Sequence, residues 1–561
     1  MCGIAAVSLK KGREDLALDL LKTINQHQHM RGPDGQGFVL DANAGVGMVR
    51  LRVRADQSEA EPIRLTSQLT AAYNGEVYWH NGQVPSGGKG EVSALIDPHG
   101  EEVDGMYALA CLSHPDGQLT LQRDPLGIKP LWMRETEIGI LAASHPEPLY
   151  TAAPVDIAPI NVQQFLAFGK PLHQQGLVSG VTQLERGHSV TIRSGEVVNK
   201  RPPQAKSAPK SPVTAQQLRR ALSESIERTL VSDRPLGLAI SGGLDSTILA
   251  YELAQRGVED LKTVSVRVEG CEDGIEDLSA LRGFSKVVST WQHHCVTVTP
   301  SDFATGLEAA SHILGEPTAM SSVPLYMGLA DAAQQQGIVV LLLGEGADEL
   351  FMGYQSYQSV DFTSPDPLVT FMCSAQKEHY LTRLLGTPQV DALKAQLQRA
   401  YPSESTLSAL ERLREAELDL SLGPLLHRAD QILMSRSIEG RTPFLHGEVP
   451  YLAMSCPPQA NLSSGQGKML LRQAYPELMA QSGPWQVKRA FRAPVHDWLC
   501  GVLRPWATEV LMDSRQALSV SGIRPDGIAT VCRGLKGRDS GAAAIAVPLL
   551  SLAFWLNKVH R

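Results

Sequence analysis

Two rhythms of apolar and polar residues divide the chain. In the first stretch, short apolar runs stand between Gly, Pro and Asn: GIAAVSL, GFVL, VGMVRLRV, LTAAYNGEVYWH, GMYALACLS, QLTLQRD and IGILAAS. Such runs predict strands, and DLALDLLKTINQHQH is the clearest helix among them. The economical reading is an α+β domain with substantial antiparallel sheet. The segment KRPPQAKSAPKSPVT then breaks the rhythm. Proline, small residues and lysine without an apolar period describe an extended linker, which sets a domain boundary there.

After the linker, TAQQLRRALSESIERTLVS places Leu218, Leu222, Ile226 and Leu230 at four-residue steps, the mark of an amphipathic helix. Strand LGLAI, loop SGGLDS, helix TILAYELAQRG, strands LKTVSVRV and CVTVT and the strongly apolar IVVLLL follow. Strands alternating with helices predict a parallel sheet covered on both faces. From about residue 365 the pattern is mostly helical. The late run GAAAIAVPLLSLAFWL is short for a membrane span and carries Pro548, so it reads as a buried terminal helix.

Composition narrows the function classes. A chain of 561 residues calls for about two to four domains. Its net charge of -8 argues against bulk nucleic-acid binding and against charge-driven membrane attachment. Eight cysteines are scattered without a C-x-x-C pair, which suggests a reducing, cytoplasmic setting. No apolar signal segment precedes KKGRED. The cluster HHC at His293 to Cys295 lies in an alternating run, so it reads as strand rather than metal site.

Three places carry candidate chemistry. Removal of Met1 would leave Cys2 with a thiol and its own α-amine, a compact nucleophile and base. SGGLDS sits where a buried strand passes into a helix, the position at which open α/β sheets bind ligands. Its glycines allow a tight turn, the helix start favours an anion, and Ser241 and Ser246 add hydroxyls. Asp245 in such a loop makes sense if Mg²⁺ is shared with phosphates. The nearest P-loop candidate, GQGKML, fails because Leu462 stands where the first glycine belongs. IVVLLL runs into GEGADELFMGY, crowding Glu345, Asp348 and Glu349 at a strand exit, a divalent-metal or base site.

Together the stretches MCGI, RGPDGQG, YNGEVY, DGMYALA, RDPLGIKPLW, SGGLDS, GEGADELFMGY, RADQILMSRSIEGRTPFLH and GKMLLRQAY resemble the glutamine-dependent asparagine synthetases over nearly the whole chain. The resemblance implies an N-terminal-nucleophile glutaminase domain, an αββα sandwich, over residues 2–200. A linker at 201–214 would lead to an ATP-pyrophosphatase-type α/β domain with a helical C-terminal part over 215–561. Cys2 then resembles the thiol that attacks the glutamine amide, with Asn74 and Gly75 as oxyanion hole. Arg50 resembles the holder of the glutamine carboxylate and Glu76 a contact to its amino group, while RGPDGQG would be a structural loop near that pocket. Ile240, Ser241, Gly242, Gly243, Leu244, Asp245, Ser246, Val266 and Gly344 would bind ATP and pyrophosphate, with Asp245 and Asp348 on Mg²⁺. Lys468 resembles the lysine that neutralises phosphate charge, and Glu345 an acceptor for the proton of attacking ammonia. The implied substrates are glutamine, a small carboxylic acid and ATP. The assembly is left open, a homodimer included.

Several positions depart from the family pattern. Lys89 in GGKGEV stands where an aspartate binding the amino group of glutamine is expected. Met30 precedes RGPD, His446 ends PFLH, and Leu343 replaces a small polar residue before GEG. The resemblance therefore admits an alternative of β-lactam-synthetase or peptide-cyclase type, which adenylates an acid and closes an intramolecular amide. Cys2 speaks against that branch and Lys89 for it. A non-catalytic scaffold is the third reading, disfavoured by intact SGGLDS, GEGADE and Lys468.

Overall fold

The structure is a computed structural model that describes residues 2–54, 62–97, 103–203, 212–271, 277–403, 407–463, 465–486 and 491–559. Met1 and residues 204–211 of the expected linker lie outside the described residues. The first two sheets each have six strands, all antiparallel. One runs Val181–Gln183, Trp132–Thr136, Gly139–Ala143, Cys2–Leu9, Ala44–Arg50, Gly35–Asp41. The other runs Glu196–Arg201, Ser189–Arg193, Gln118–Arg123, Asp104–Ser113, Leu69–Trp79, Ile63–Arg64.

The two sheets stack on a core that includes Ile4, Ala6, Val46, Met48, Ala108 and Ala110. Helix Ala17–His27 closes one outer face through Leu21 and Ile24. Helix Gly87–Ile96 closes the other through Val92 and Leu95. The apolar runs of the sequence thus become strands as expected. The strands Trp132–Thr136, Val181–Gln183, Ser189–Arg193 and Glu196–Arg201 add to them. Their sequences are polar enough to hide the alternation, and the last keeps Lys200 and Arg201 inside a sheet, paired to Val190 and Ser189.

The third sheet is parallel throughout, in the order Gln292–Val298, Lys262–Val268, Leu236–Ala239, Val340–Leu342, Glu439–Arg441. Val340 and Leu342 face helices Ala215–Thr229 and Leu244–Gln255 on one side. Leu341 faces helices Pro300–Leu314 and Val323–Gln335 on the other, the alternation a strand demands. Thr214 opens Ala215–Thr229 with a capping box to Gln217, which is why the helix starts where it does. His293 lies in the edge strand with its ring between Thr263 Oγ1 (2.8 Å) and Ser265 Oγ (3.1 Å), a sheet residue as the alternation suggested. The terminal helix Ser540–Val559 is long and apolar enough to cross a membrane by length and composition, yet most of it is buried within the protein.

Candidate active sites

The register that pairs Cys2 with Arg50 gathers the first site. From the facing sheet, Asn74 accepts a hydrogen bond from Cys2 N through Oδ1 at 3.0 Å. Its Nδ2 is buried and makes no hydrogen bond among the described residues. A buried amide donor without an acceptor costs about 1–3 kcal/mol, and an oxyanion forming at Cys2 would use it. Gly75 has φ +152, and a Cβ there would come within 2.0 Å of Met106 O, so only glycine fits beside Asn74. Burial pushes the Cys2 thiol above its ordinary range, against the pull of the amino terminus and Arg50. The RGPDGQG loop packs on the Arg50 backbone: Asp34 N donates to Arg50 O at 2.9 Å. A Cβ on Gly32 would lie 2.2 Å from Arg50 N, so the loop needs its glycine.

Glu76 is buried, with Arg54 Nη1 3.8 Å away. The same guanidinium lies 3.4 Å from Glu91, whose Oε1 accepts from Val77 N at 3.3 Å. Burial raises both carboxyls; the Glu439 charge adds to the rise at Glu76, and the Glu76 charge to the rise at Glu91. Lys89 is exposed on helix Gly87–Ile96, while Glu91 is fully buried beside Glu76. Two helical residues differ by about 200°, so the cation expected in the glutamine pocket turns outward and a carboxylate turns in. Sequence reading missed Glu91 and Arg54; the helical period of EVSAL was the signal that could have found Glu91.

The second site is a cavity of about 530 Å³ at the carboxyl end of the parallel sheet. Ile240, Ser241, Gly243, Leu244, Asp245, Ser246, Val266, Gly344, Glu345, Asp348 and Lys468 all line it. Gly242, at φ +78, makes the loop's turn without lining the cavity. Ser246 Oγ accepts from Ser241 N at 3.2 Å and holds the loop against its helix. Lys468 Nζ is 2.5 Å from Asp245 Oδ2 and 2.7 Å from Asp348 Oδ1. Although burial disfavours its charge, these two carboxylates keep the lysine above its ordinary value. Gly353 is obligatory here, since a Cβ would meet Asp348 Oδ1 at 2.0 Å and Lys468 Cε at 2.1 Å.

The three acids of GEGADE do not form one cage, which corrects the expected cluster. Glu345 pairs with Arg428, Asp348 with Lys468, and Glu349 accepts from Tyr354. Asp348 and Glu349 leave the short helix Ala347–Leu350 in different directions, and Glu345 lies before its Gly346 cap. Burial and Asp348 push Glu349 up to about 8. Among the described residues no group of three or more His, Cys, Asp or Glu converges. Asp245 and Asp348 remain a pair of hard oxygen donors on one point, the donor set Mg²⁺ takes when phosphates complete its shell.

One helix joins the two sites. In Gly423–Met434, Arg428 reaches Glu345, donates to Ser322 Oγ and covers the Tyr326 ring at 4.4 Å. From the same helix Asp430 pairs with Arg31 at 2.7 Å and Lys129 at 3.6 Å, and Gln431 accepts from Arg31 at 2.8 Å. Arg31 Nε in turn donates to Cys2 O at 3.3 Å. Nothing in the apolar pattern marked these residues, because their partners lie from 83 to 400 positions away.

Comparison with known proteins agrees with both halves of this geometry. A glutamine amidotransferase domain model matches residues 1–83 and 97–202. An asparagine synthase model matches residues 217–557. Asparagine synthetase [glutamine-hydrolyzing] 1 of Bacillus subtilis is 25% identical, covering 92% of this chain and 90% of its own. Asparagine synthetase B [glutamine-hydrolyzing] of Escherichia coli is 26% identical, covering 89% of this chain and 83% of its own. The asparagine synthase match takes in the SGGLDS loop, the GEGADE turn, the joining helix and Lys468 over more than half of the sequence, and the chain belongs to the asparagine synthase family.

Proposed function

We propose that the protein amidates a small carboxylic acid, aspartate or an analogue, with ATP and with ammonia released from glutamine. The observation that carries this reading is the helix Gly423–Met434, with Asp430 and Gln431 turned to the Cys2 site and Arg428 to the Glu345 site. Residues 2–200 would form the glutaminase, 201–214 the linker and 215–561 the synthetase.

In the glutaminase, Arg50 holds the α-carboxylate of glutamine, and Glu76, with Glu91 beside it, meets the amino group. After loss of Met1 the Cys2 amine, kept by Asn74 Oδ1, accepts the thiol proton. Sulfur attacks the side-chain amide, and Asn74 Nδ2 with the Gly75 N–H takes the negative charge that builds on oxygen. The carbon–nitrogen bond then breaks, ammonia leaves with that proton, and water clears the thioester. In the synthetase a carboxylate oxygen of the acid attacks the α-phosphorus of ATP, pyrophosphate departs with the electrons of the broken bond, and Lys468 offsets the phosphate charge. Asp245 and Asp348 would hold Mg²⁺, which when bound screens the phosphates. Ammonia attacks the acyl-adenylate, Glu345 accepts a proton, and AMP leaves. The ion pair with Arg428 keeps the Glu345 carboxylate oriented for that proton.

The test is pyrophosphate release over a panel of acids with glutamine or ammonium as nitrogen source. Turnover on glutamine should vanish in Cys2→Ala and return with ammonium. Asp245→Ala should release no pyrophosphate with either source. A reaction indifferent to both nitrogen sources would refute the reading in favour of intramolecular amide closure.

A further inference from the structure

Among the described residues four cations line the synthetase cavity: Arg428, Lys468, Arg472 and Arg492. Lys468 is bracketed by Asp245 and Asp348, and Arg428 is paired with Glu345. Arg472 lines the same cavity, one helical turn beyond Lys468, with its amide donating to Lys468 O at 2.9 Å. Its Nε donates to Gly467 O at 3.1 Å and its Nη1 lies 3.4 Å from Met479 Sδ. Those contacts fix the guanidinium against the 465–468 loop without neutralising it. Among the described residues Arg472 makes no ion pair. Burial pushes its pKa below the usual arginine value, opposed by the more distant Asp245. A partly buried, uncompensated charge costs free energy in the empty protein, a cost recovered when a ligand brings the opposite charge.

The charge balance says which ligand. Asp245, Asp348 and Lys468 together carry one net negative charge, so this trio depends on Mg²⁺ to hold a polyphosphate. A cation fixed beside it without an ion pair adds to that attraction. Arginine also suits the task, because its planar fork binds phosphate oxygens in pairs.

We propose that Arg472 is a second pyrophosphate-binding cation, contacting the β- and γ-phosphates of ATP and the pyrophosphate that leaves. As the acid oxygen bonds to the α-phosphorus and the bridging oxygen departs with its electron pair, Arg472 shares with Lys468 the charge that gathers on the leaving group. This assignment rests on the proposed adenylation and deepens it.

Two probes separate binding from loop support: inorganic pyrophosphate with Mg²⁺, and adenosine, which lacks phosphates. Both are titrated by calorimetry into the full chain and into Arg472→Gln and Arg472→Lys. Pyrophosphate affinity is expected to fall at least tenfold in Arg472→Gln and to recover in part in Arg472→Lys, with adenosine affinity unchanged. Equal weakening of both probes would assign Arg472 to holding the 465–468 loop and overturn the proposal, as would an unchanged pyrophosphate affinity. Should Arg472→Gln fail to fold, Arg472→Lys alone decides, because it keeps the charge but not the fork and must weaken pyrophosphate more than adenosine. Parent protein that binds adenosine but neither ATP nor pyrophosphate would bring down the adenylation reading itself, and this assignment with it.

Discussion

Replacing Asp430 by alanine probes the contact between the two sites most directly. The carboxylate is 2% exposed and lies between Arg31 at 2.7 Å and Lys129 at 3.6 Å, both also buried. Removing one partner of a buried ion pair typically costs about 3–5 kcal/mol, because the remaining charges have lost both water and counter-ion. Lys129 softens the loss: burial already lowers its pKa, with Asp430 the first charge opposing that fall, so without Asp430 it can shed its proton. Arg31 has no such escape. The lower end, about 3 kcal/mol, is therefore expected, or a fall of about 6 °C in melting temperature at roughly 2 °C per kcal/mol for a large chain. Because Arg31 also holds Cys2 O at 3.3 Å, glutamine hydrolysis should fall by about tenfold while ammonium-driven AMP formation changes less. Differential scanning calorimetry and the ratio of glutamate to AMP measure both. The double variant with Arg31→Met should regain part of the stability, since it removes the stranded cation as well. An Asp430→Ala protein that melts within about 1 °C of its parent would show that the pair is solvated or unimportant, and the reasoning would fail.

Three further outcomes follow from single positions. Asn74→Ala should lower glutamine hydrolysis by about 10²–10³-fold through loss of the oxyanion donor while leaving ammonium-dependent pyrophosphate release intact; a loss of both would mean the residue only supports the fold. Gly353→Ala, whose Cβ would meet Asp348 and Lys468 near 2 Å, should abolish pyrophosphate release but spare glutamate formation, as read by paired product assays. Glu316 accepts from Leu177 N at 2.9 Å and is pushed by burial up to about 7. Its native form binds a proton that the unfolded chain has lost above about 4.3, so stability falls as pH rises from there to about 7. Glu316→Gln should thus melt like its parent near pH 4 and be more stable by about 1–3 kcal/mol at pH 8; a pH-independent difference would contradict this sign.

How much could be read from the sequence depended on the range of the interaction. Cys2, Asn74, the SGGLDS loop and Lys468 stood out in short motifs, and the structure sets Cys2 against Asn74 and lines one cavity with the loop and Lys468. Strands such as Asp104–Ser113 were legible because apolar residues dominate them, whereas Glu196–Arg201, exposed throughout, left no pattern. Lys89 was misleading because a motif position says nothing of which side of a helix it occupies. Glu345, Asp348 and Glu349 looked like one cluster because adjacency in sequence hides the splay of a helical turn. Arg428, Asp430 and Gln431 were invisible as site residues, since their meaning comes from Glu345 and Arg31, distant in sequence.

The joining helix makes a physical demand that local motifs cannot express. Arg428 and Asp430 are two positions apart, so their side chains leave the helix about 200° apart, and Gln431, about 100° on from Asp430, takes the other terminal nitrogen of Arg31. Such spacing lets one rigid turn address Glu345 on one side and Arg31 on the other. The Arg31–Asp430 pair is buried and the Arg428–Glu345 pair partly so, and moving either end would strand an ion. A shift of this helix large enough to free Arg31 must therefore also disturb the pair that orients Glu345. On the proposed function, this single turn is a structural link shared by the Cys2 and Glu345 sites.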